Sequence, residues 1–197
     1  MKAENRPLLD TLRLCAATLR DAHIPFMLGG SLAVWARGGP MPEKDLDLMV
    51  TPDDAGAALQ ALVDGGLAAG DPPEEWLYKA WLDDVMVDVI FRPAGIPVSA
   101  EMIDRAERMA VVAVEMPVMS INDVLATKLA VMGERTLDYA PVLAMARAVR
   151  EQIDWNRLRA DAADSPYAKP FFTLVEELDI VGEGVDAAPA RGVHVLG

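Results

Sequence analysis

The run Asp45-Leu46-Asp47-Leu48-Met49-Val50 alternates carboxylates with hydrocarbon at a period of two, and this constrains the chain more than any other feature. A period of two is that of a β-strand half-buried in a sheet. Asp45 and Asp47 then leave one face, about 6.5 Å apart along the backbone, while Leu46 and Leu48 point into a core. Two carboxylates on one face repel and neither can pair with the other. Either water reaches both at an exposed strand end, or a cation neutralises them. Asp88 poses the same question. It interrupts Val85, Met86, Val87, Val89, Ile90 and Phe91, where a buried strand takes apolar residues. If the two strands are neighbours, three carboxylates converge into a ligand set for one or two Mg²⁺ ions, with substrate phosphates completing the shell.

The complementary part stands earlier in the chain. The apolar run Ile24 to Leu28 ends in Gly29-Gly30-Ser31, a strand feeding a tight turn. Glycines let a backbone approach a phosphate closely, and a helix capped by Ser31 and running to Arg37 presents free N–H groups to it. By itself Gly-Gly marks many plain turns; the carboxylates that follow make it a candidate phosphate cradle of Gly29, Gly30 and Ser31. Lys44, beside Asp45, is a further candidate for nucleotide contact. Like Arg37, it can equally sit in an exposed salt bridge.

Ile121, Val124, Leu125, Lys128 and Met132 share one helical stripe, which turns Lys128 inward. An inward lysine needs an anion or must snorkel out. A triphosphate, or Asp45, Asp47 or Asp88, would supply the anion. Asp138, with Pro141 three residues on, suits a helix N-cap as well as a site role. The four tryptophans read as packing, with Trp76 and Trp81 nearest the expected site. His23 sits at a helix end as a structural residue.

The wider pattern is α/β followed by helices. Helices are expected over 7–22, 53–63 and 100–107, strands over 75–81 and 85–91 joined by a turn at Asp83-Asp84, and one short strand over 110–114. After Pro117 helices follow over 120–132, on to about 153, over 156–162 and over 170–178. This divides the chain into 1–117, a helical region 118–181 and a Gly/Ala/Pro-rich tail 182–197.

The net charge of −13 argues against broad nonspecific nucleic-acid binding. The charge is uneven, however. Residues 1–117 hold 10 Lys/Arg against 19 Asp/Glu, and residues 118–160 hold 6 against 5, so a polyanion can still be gripped locally by the second stretch. No stretch approaches the ~18 apolar residues of a membrane span, and the N-terminus mixes acids and bases unlike a secretory signal. The single cysteine, Cys15, fits a reducing cytoplasm. The two separated histidines give no zinc site.

Leu28-Gly29-Gly30-Ser31, a gap of 13 residues, Asp45-Leu46-Asp47-Leu48 and a later Val87-Asp88-Val89 together resemble the signature of the polymerase-beta-like nucleotidyltransferase superfamily. The resemblance implies a small mixed sheet with flanking helices, an NTP (ATP among the candidates) as substrate, two Mg²⁺ ions, and transfer of an NMP to a hydroxyl or phosphate. By position Asp45 and Asp47 would hold both metals. Asp88 would help bind one and activate the attacking oxygen. Many relatives carry Arg and Thr before the first Asp, where Pro42-Glu43-Lys44 stands here. The segment Ser120 to Leu129, with Glu134-Arg135 and Asp138, resembles stand-alone AbiEii-type toxin-like members, in which positions matching Lys128 and Asp138 are functional. That implies a tRNA or protein acceptor and leaves room for an antitoxin partner. An antibiotic-type small-molecule acceptor is the alternative, and a nucleotide- or partner-binding module without turnover is the rival. Retention of three mutually repelling carboxylates argues against the rival.

Overall fold

The computed structural model describes residues 5–42, 45–134 and 136–181. Lys44, with its neighbour Glu43, Arg135 and the expected tail 182–197 lie outside the described residues.

Helix α1 (Arg6–Asp21) starts with Pro7 in its first turn, where a missing N–H costs nothing, and buries Leu8, Leu12, Cys15 and Leu19. Burial pushes the Cys15 thiol up to about 12, so it acts as a packing group. The chain then enters β1 (Met27–Leu28), α2 (Gly30–Ala36), β2 (Asp45–Met49), α3 (Ala55–Asp64) and β3 (Ala68–Ala69). A hairpin of β4 (Leu77–Leu82) and β5 (Val85–Ile90) follows, turning at Asp83 with φ of 51°. After α4 (Ala100–Asp104) comes a second hairpin, β6 (Glu107–Val111) and β7 (Val114–Val118). The rest is helical: α5 (Ile121–Ala130), α6 (Ala140–Ala148), α7 (Trp155–Asp161) and α8 (Ala168–Glu177).

The seven strands form one mixed sheet in the order β3-β4-β5-β2-β1-β7-β6. Strand β2 is central, parallel to β5 on one side and antiparallel to β1 on the other. Leu46 and Leu48 are fully buried beneath it, each contributing about 1.5–3 kcal/mol of transfer free energy. Helices α1 and α3 pack together against the β2–β5–β4 part of the sheet, while α2 packs against β2 and α5. The whole is a mixed α/β core with flanking helices. Among the described residues no helix is long and apolar enough to cross a membrane.

Three sequence expectations change. The helix after the glycine turn is capped by Gly29, and Ser31 is its second residue. The cause is that Gly29 N–H already bonds Asp47 O across to β2 at 2.9 Å, so the helix starts at once. The single strand expected over 110–114 is a hairpin, whose turn residues Val112 and Ala113 both have positive φ (52° and 64°). Neither residue carries the Asn or Gly that normally announces such a turn. The long helix expected up to 153 begins only at Ala140, with Pro141 in its first turn.

Candidate active site

Strand pairing assembles the carboxylates. In the parallel β2–β5 register Asp47 stands opposite Asp88, and Asp45 opposite Met86. Adjacent strands lie about 4.8 Å apart, so Asp47 and Asp88 emerge side by side on one face, with the exposed Asp45 at its edge. The α2 turn closes over them. Gly30 has φ of +53°, and a Cβ built on it would lie 1.6 Å from Asp47 Oδ2. The Asp47 carboxylate therefore rests against bare glycine backbone, in a space that any side chain would fill. Gly29 is held nearly as closely by the Met49 side chain.

Electrostatics record the crowding. Asp47 is pushed up from 3.8 to about 6, first by burial and then by the charge of Asp88, with Lys128 pulling the other way and Asp45 adding to the rise. Asp88 is also raised by burial, opposed by a hydrogen bond from Lys79. Between pH ~4 and ~6 the native state holds a proton on Asp47 that the unfolded chain has lost. The group's stabilising contribution is thus complete below about pH 4 and lost as pH rises through 6. Asp47→Asn is accordingly expected to stabilise the metal-free protein at pH 7 by about 3 kcal/mol. It should also flatten the loss of stability across that window. Thermal melts in EDTA at a series of pH values check this, and identical slopes in both proteins would refute it.

Of the three carboxylates Asp47 opens onto a cavity of about 180 Å³ bounded by Gly30, Trp76, Pro93, Lys128 and Val131, among others, with mostly apolar walls. Lys128 is half-buried on the wall of this cavity, where its charge acts on Asp47. A neighbouring cavity of about 210 Å³ brings Lys128 and Asp138 together. Asp138 also accepts a hydrogen bond from Ala140 N–H at 3.0 Å, but it lies one residue before the N-cap of α6, which is Tyr139.

Other candidates fall elsewhere. Arg37 is nearly sealed: its guanidinium bonds Met119 O and Val118 O and pairs with Glu107 at 2.8 Å. It is a structural clamp rather than a phosphate ligand. Trp81 packs over Gly70 at the β3–β4 edge, and His23 adopts positive φ at the turn after α1. A larger cavity of about 480 Å³, between the end of α1 and the β6–β7 hairpin, contains none of Asp45, Asp47 and Asp88.

Two site residues escaped the sequence reading. Lys79 on β4 faces Asp88 in the hairpin register and bonds Asp88 Oδ1 at 3.0 Å. The two-residue turn at Asp83-Asp84 already implied it, since pairing Leu82 with Val85 places residue 79 opposite 88. Glu74 adds its charge to the surroundings of Asp88, and its Oε2 is buried without a hydrogen-bond partner. No sequence signal marks it.

Asp45, Asp47 and Asp88 are oxygen donors of the kind that hard divalent cations take. Four carboxylates (these three and Glu74) against the ammonium groups of Lys79 and Lys128 leave negative charge uncompensated. The residues present fit magnesium in chemistry, although among the described residues no three carboxylate, imidazole or thiol side chains are drawn together as a finished ligand set.

No protein-family model matches the sequence, and no curated protein matches it. Solved structures do match. The antibiotic-resistance factor ANT(2'')-Ia aligns with a TM-score of 0.61 over 89% of this chain and 98% of its own, at 14% identity. In its complex with adenylyl-2''-tobramycin the values are 0.63, 84%, 99% and 12%. The fold is a nucleotidyltransferase fold. A candidate nucleotidyltransferase from H. pylori shares it, with a TM-score of 0.54, 16% identity, and coverage of 91% of this chain and 83% of its own. At these identities the likeness is one of fold, and within the nucleotidyltransferase fold the chemistry has to be argued from the residues.

Proposed function

We propose that the chain is a magnesium-dependent nucleotidyltransferase that moves an NMP from an NTP to an acceptor hydroxyl or phosphate. The observation that carries this reading is the in-register Asp47–Asp88 pair, roofed by a glycine turn that leaves room for nothing larger. Gly29, Gly30 and Ser31 would admit the triphosphate through the N–H groups of Gly30 and Ser31, since that of Gly29 is bonded to Asp47 O. Asp45, Asp47 and Asp88 would hold magnesium, which when bound supplies charge neutralisation for the phosphates. Lys128 adds a fixed positive charge at the cavity wall. The raised affinity of Asp88 for a proton suits it to take one from an acceptor hydroxyl at its carboxylate oxygen.

For the acceptor, the reading best supported is a small molecule. ANT(2'')-Ia matches over nearly its whole length, and that structure holds an adenylylated tobramycin. A net charge of −13 also favours cationic small molecules over RNA. The toxin-like reading, with a tRNA or protein acceptor and an antitoxin partner, rests on Lys128 and Asp138 sharing one cavity beside the carboxylates. Transfer from a labelled NTP to a panel of aminoglycosides, against transfer to bulk tRNA, separates the two.

Calorimetric titration of the four NTPs, with Mg²⁺ and with EDTA, tests the site itself. Magnesium-dependent binding is expected in the wild type, weakened by at least about 100-fold in Asp45→Ala/Asp47→Ala. A wild type that binds no NTP in any condition would sink the enzyme reading.

A further inference from the structure

The ammonium of Lys79 occupies an unusual place. It donates to Asp88 Oδ1 at 3.0 Å and lies 3.7 Å from Met86 Sδ. Asp88 and Met86 are the β5 residues that stand opposite Asp47 and Asp45. The ammonium is therefore laid along the strip of β5 that borders both β2 carboxylates. Its side chain and that of Asp88 are 17% and 13% exposed, so the contact is largely withdrawn from water. An ammonium has three donors, and here one strong acceptor and one weak sulfur acceptor serve it. Such a cation compensates Asp88 without filling its own hydrogen-bonding capacity. Resting on the reading that these carboxylates bind magnesium, we propose that Lys79 is a built-in competitor for the metal. Its ammonium holds the position on Asp88 that a divalent cation takes and must leave for the cation to enter.

The consequence is a metal site that is weak on its own. A dication approaching Asp88 meets the Lys79 charge at close range and must break a sheltered ion pair. Tight binding then requires further ligands, and a nucleotide's phosphates are the natural ones for magnesium. The chain would hold nucleotide and metal together far better than metal alone. In the absence of Lys79 only Lys128 would oppose the four carboxylates, and free cations would bind without a nucleotide.

Mn²⁺ titrations without nucleotide, with free ion followed by electron paramagnetic resonance, test this on the full chain. Lys79→Met is expected to bind Mn²⁺ about tenfold more tightly than wild type, and Lys79→Arg to stay within about twofold of it. Lys79→Gln, which keeps a polar end, should follow Lys79→Met if the latter folds poorly. Equal or weaker binding by both neutral variants, with binding still lost in Asp45→Ala/Asp47→Ala, overturns the Lys79 inference alone. Binding that ignores the Asp45/Asp47 substitution in every background overturns the metal site and the inference with it.

Discussion

Asp88→Asn is expected to lower nucleotidyl transfer by about 10³-fold while leaving NTP binding within about threefold of wild type. Asparagine keeps the shape of the residue and its place in the β5 ladder, so the strand should pair with β2 as before. What disappears is the negative charge next to Asp47 and the oxygen able to accept a proton. Both matter more during transfer than during nucleotide binding, which Gly29–Ser31, Asp45 and Asp47 share. Lys79 would lose its ionic partner in a sheltered position, at a stability cost of about 1–3 kcal/mol. Pyrophosphate release and calorimetric NTP binding, measured on the same preparations, check the split. Retention of full activity would mean that the chemistry sits elsewhere; parallel loss of binding would mean that Asp88 serves the ground state.

A methyl group at position 30 should be nearly as damaging. In Gly30→Ala the added carbon would fall 1.6 Å from Asp47 Oδ2, and the residue would have to keep a φ of +53°. The backbone conformation alone costs an ordinary residue about 1–2 kcal/mol. The collision must in addition expel the Asp47 carboxylate or lift the start of α2 away from β2. Transfer is expected to drop by at least about 100-fold, with a stability loss of about 2 kcal/mol. Gly29→Ala is the comparison. Its φ of −112° suits any residue. Its methyl would, however, meet Met49 Cε at 2.7 Å and Cγ at 2.8 Å, so the buried Met49 side chain must shift as a whole. A Gly30→Ala protein with unchanged melting temperature and turnover would show that the glycine is not needed for the fit against Asp47.

Period and spacing made the core of the site legible. Alternation placed Asp45 and Asp47 on one face and Leu46 and Leu48 beneath, and the apolar surroundings of Asp88 marked it as anomalous. That β2 and β5 are neighbours was not legible, because parallel pairing joins segments about forty residues apart without any local signature. The hairpin of β4 and β5 was legible, yet its register was not followed through to Lys79. The β6–β7 hairpin was missed because Val112 and Ala113 adopt left-handed backbone without the residue types that favour it. For Arg37 a phosphate contact and a salt bridge were both open, and the structure shows the ion pair, with Glu107. The sequence position of Arg37 next to the glycine helix says nothing of the carbonyls of Val118 and Met119 that enclose it.

The slot beside Asp47 has walls of mixed descent. Gly30, Met49, Trp76 and Pro93 come from the stretch that also supplies the three carboxylates, whereas Val124, Lys128 and Val131 come from α5 and its end. Substitutions in α5 can thus alter what is admitted to the slot while the carboxylates keep their places on the sheet. The helical half is tied to the sheet through the shared core, the Arg105–Asp123 pair and Gln152, which reaches back to Arg37 O at 2.9 Å. Diversification of acceptors would then be recorded in α5 and α6, and a library that randomises 124–142 over a fixed sheet would sample it directly.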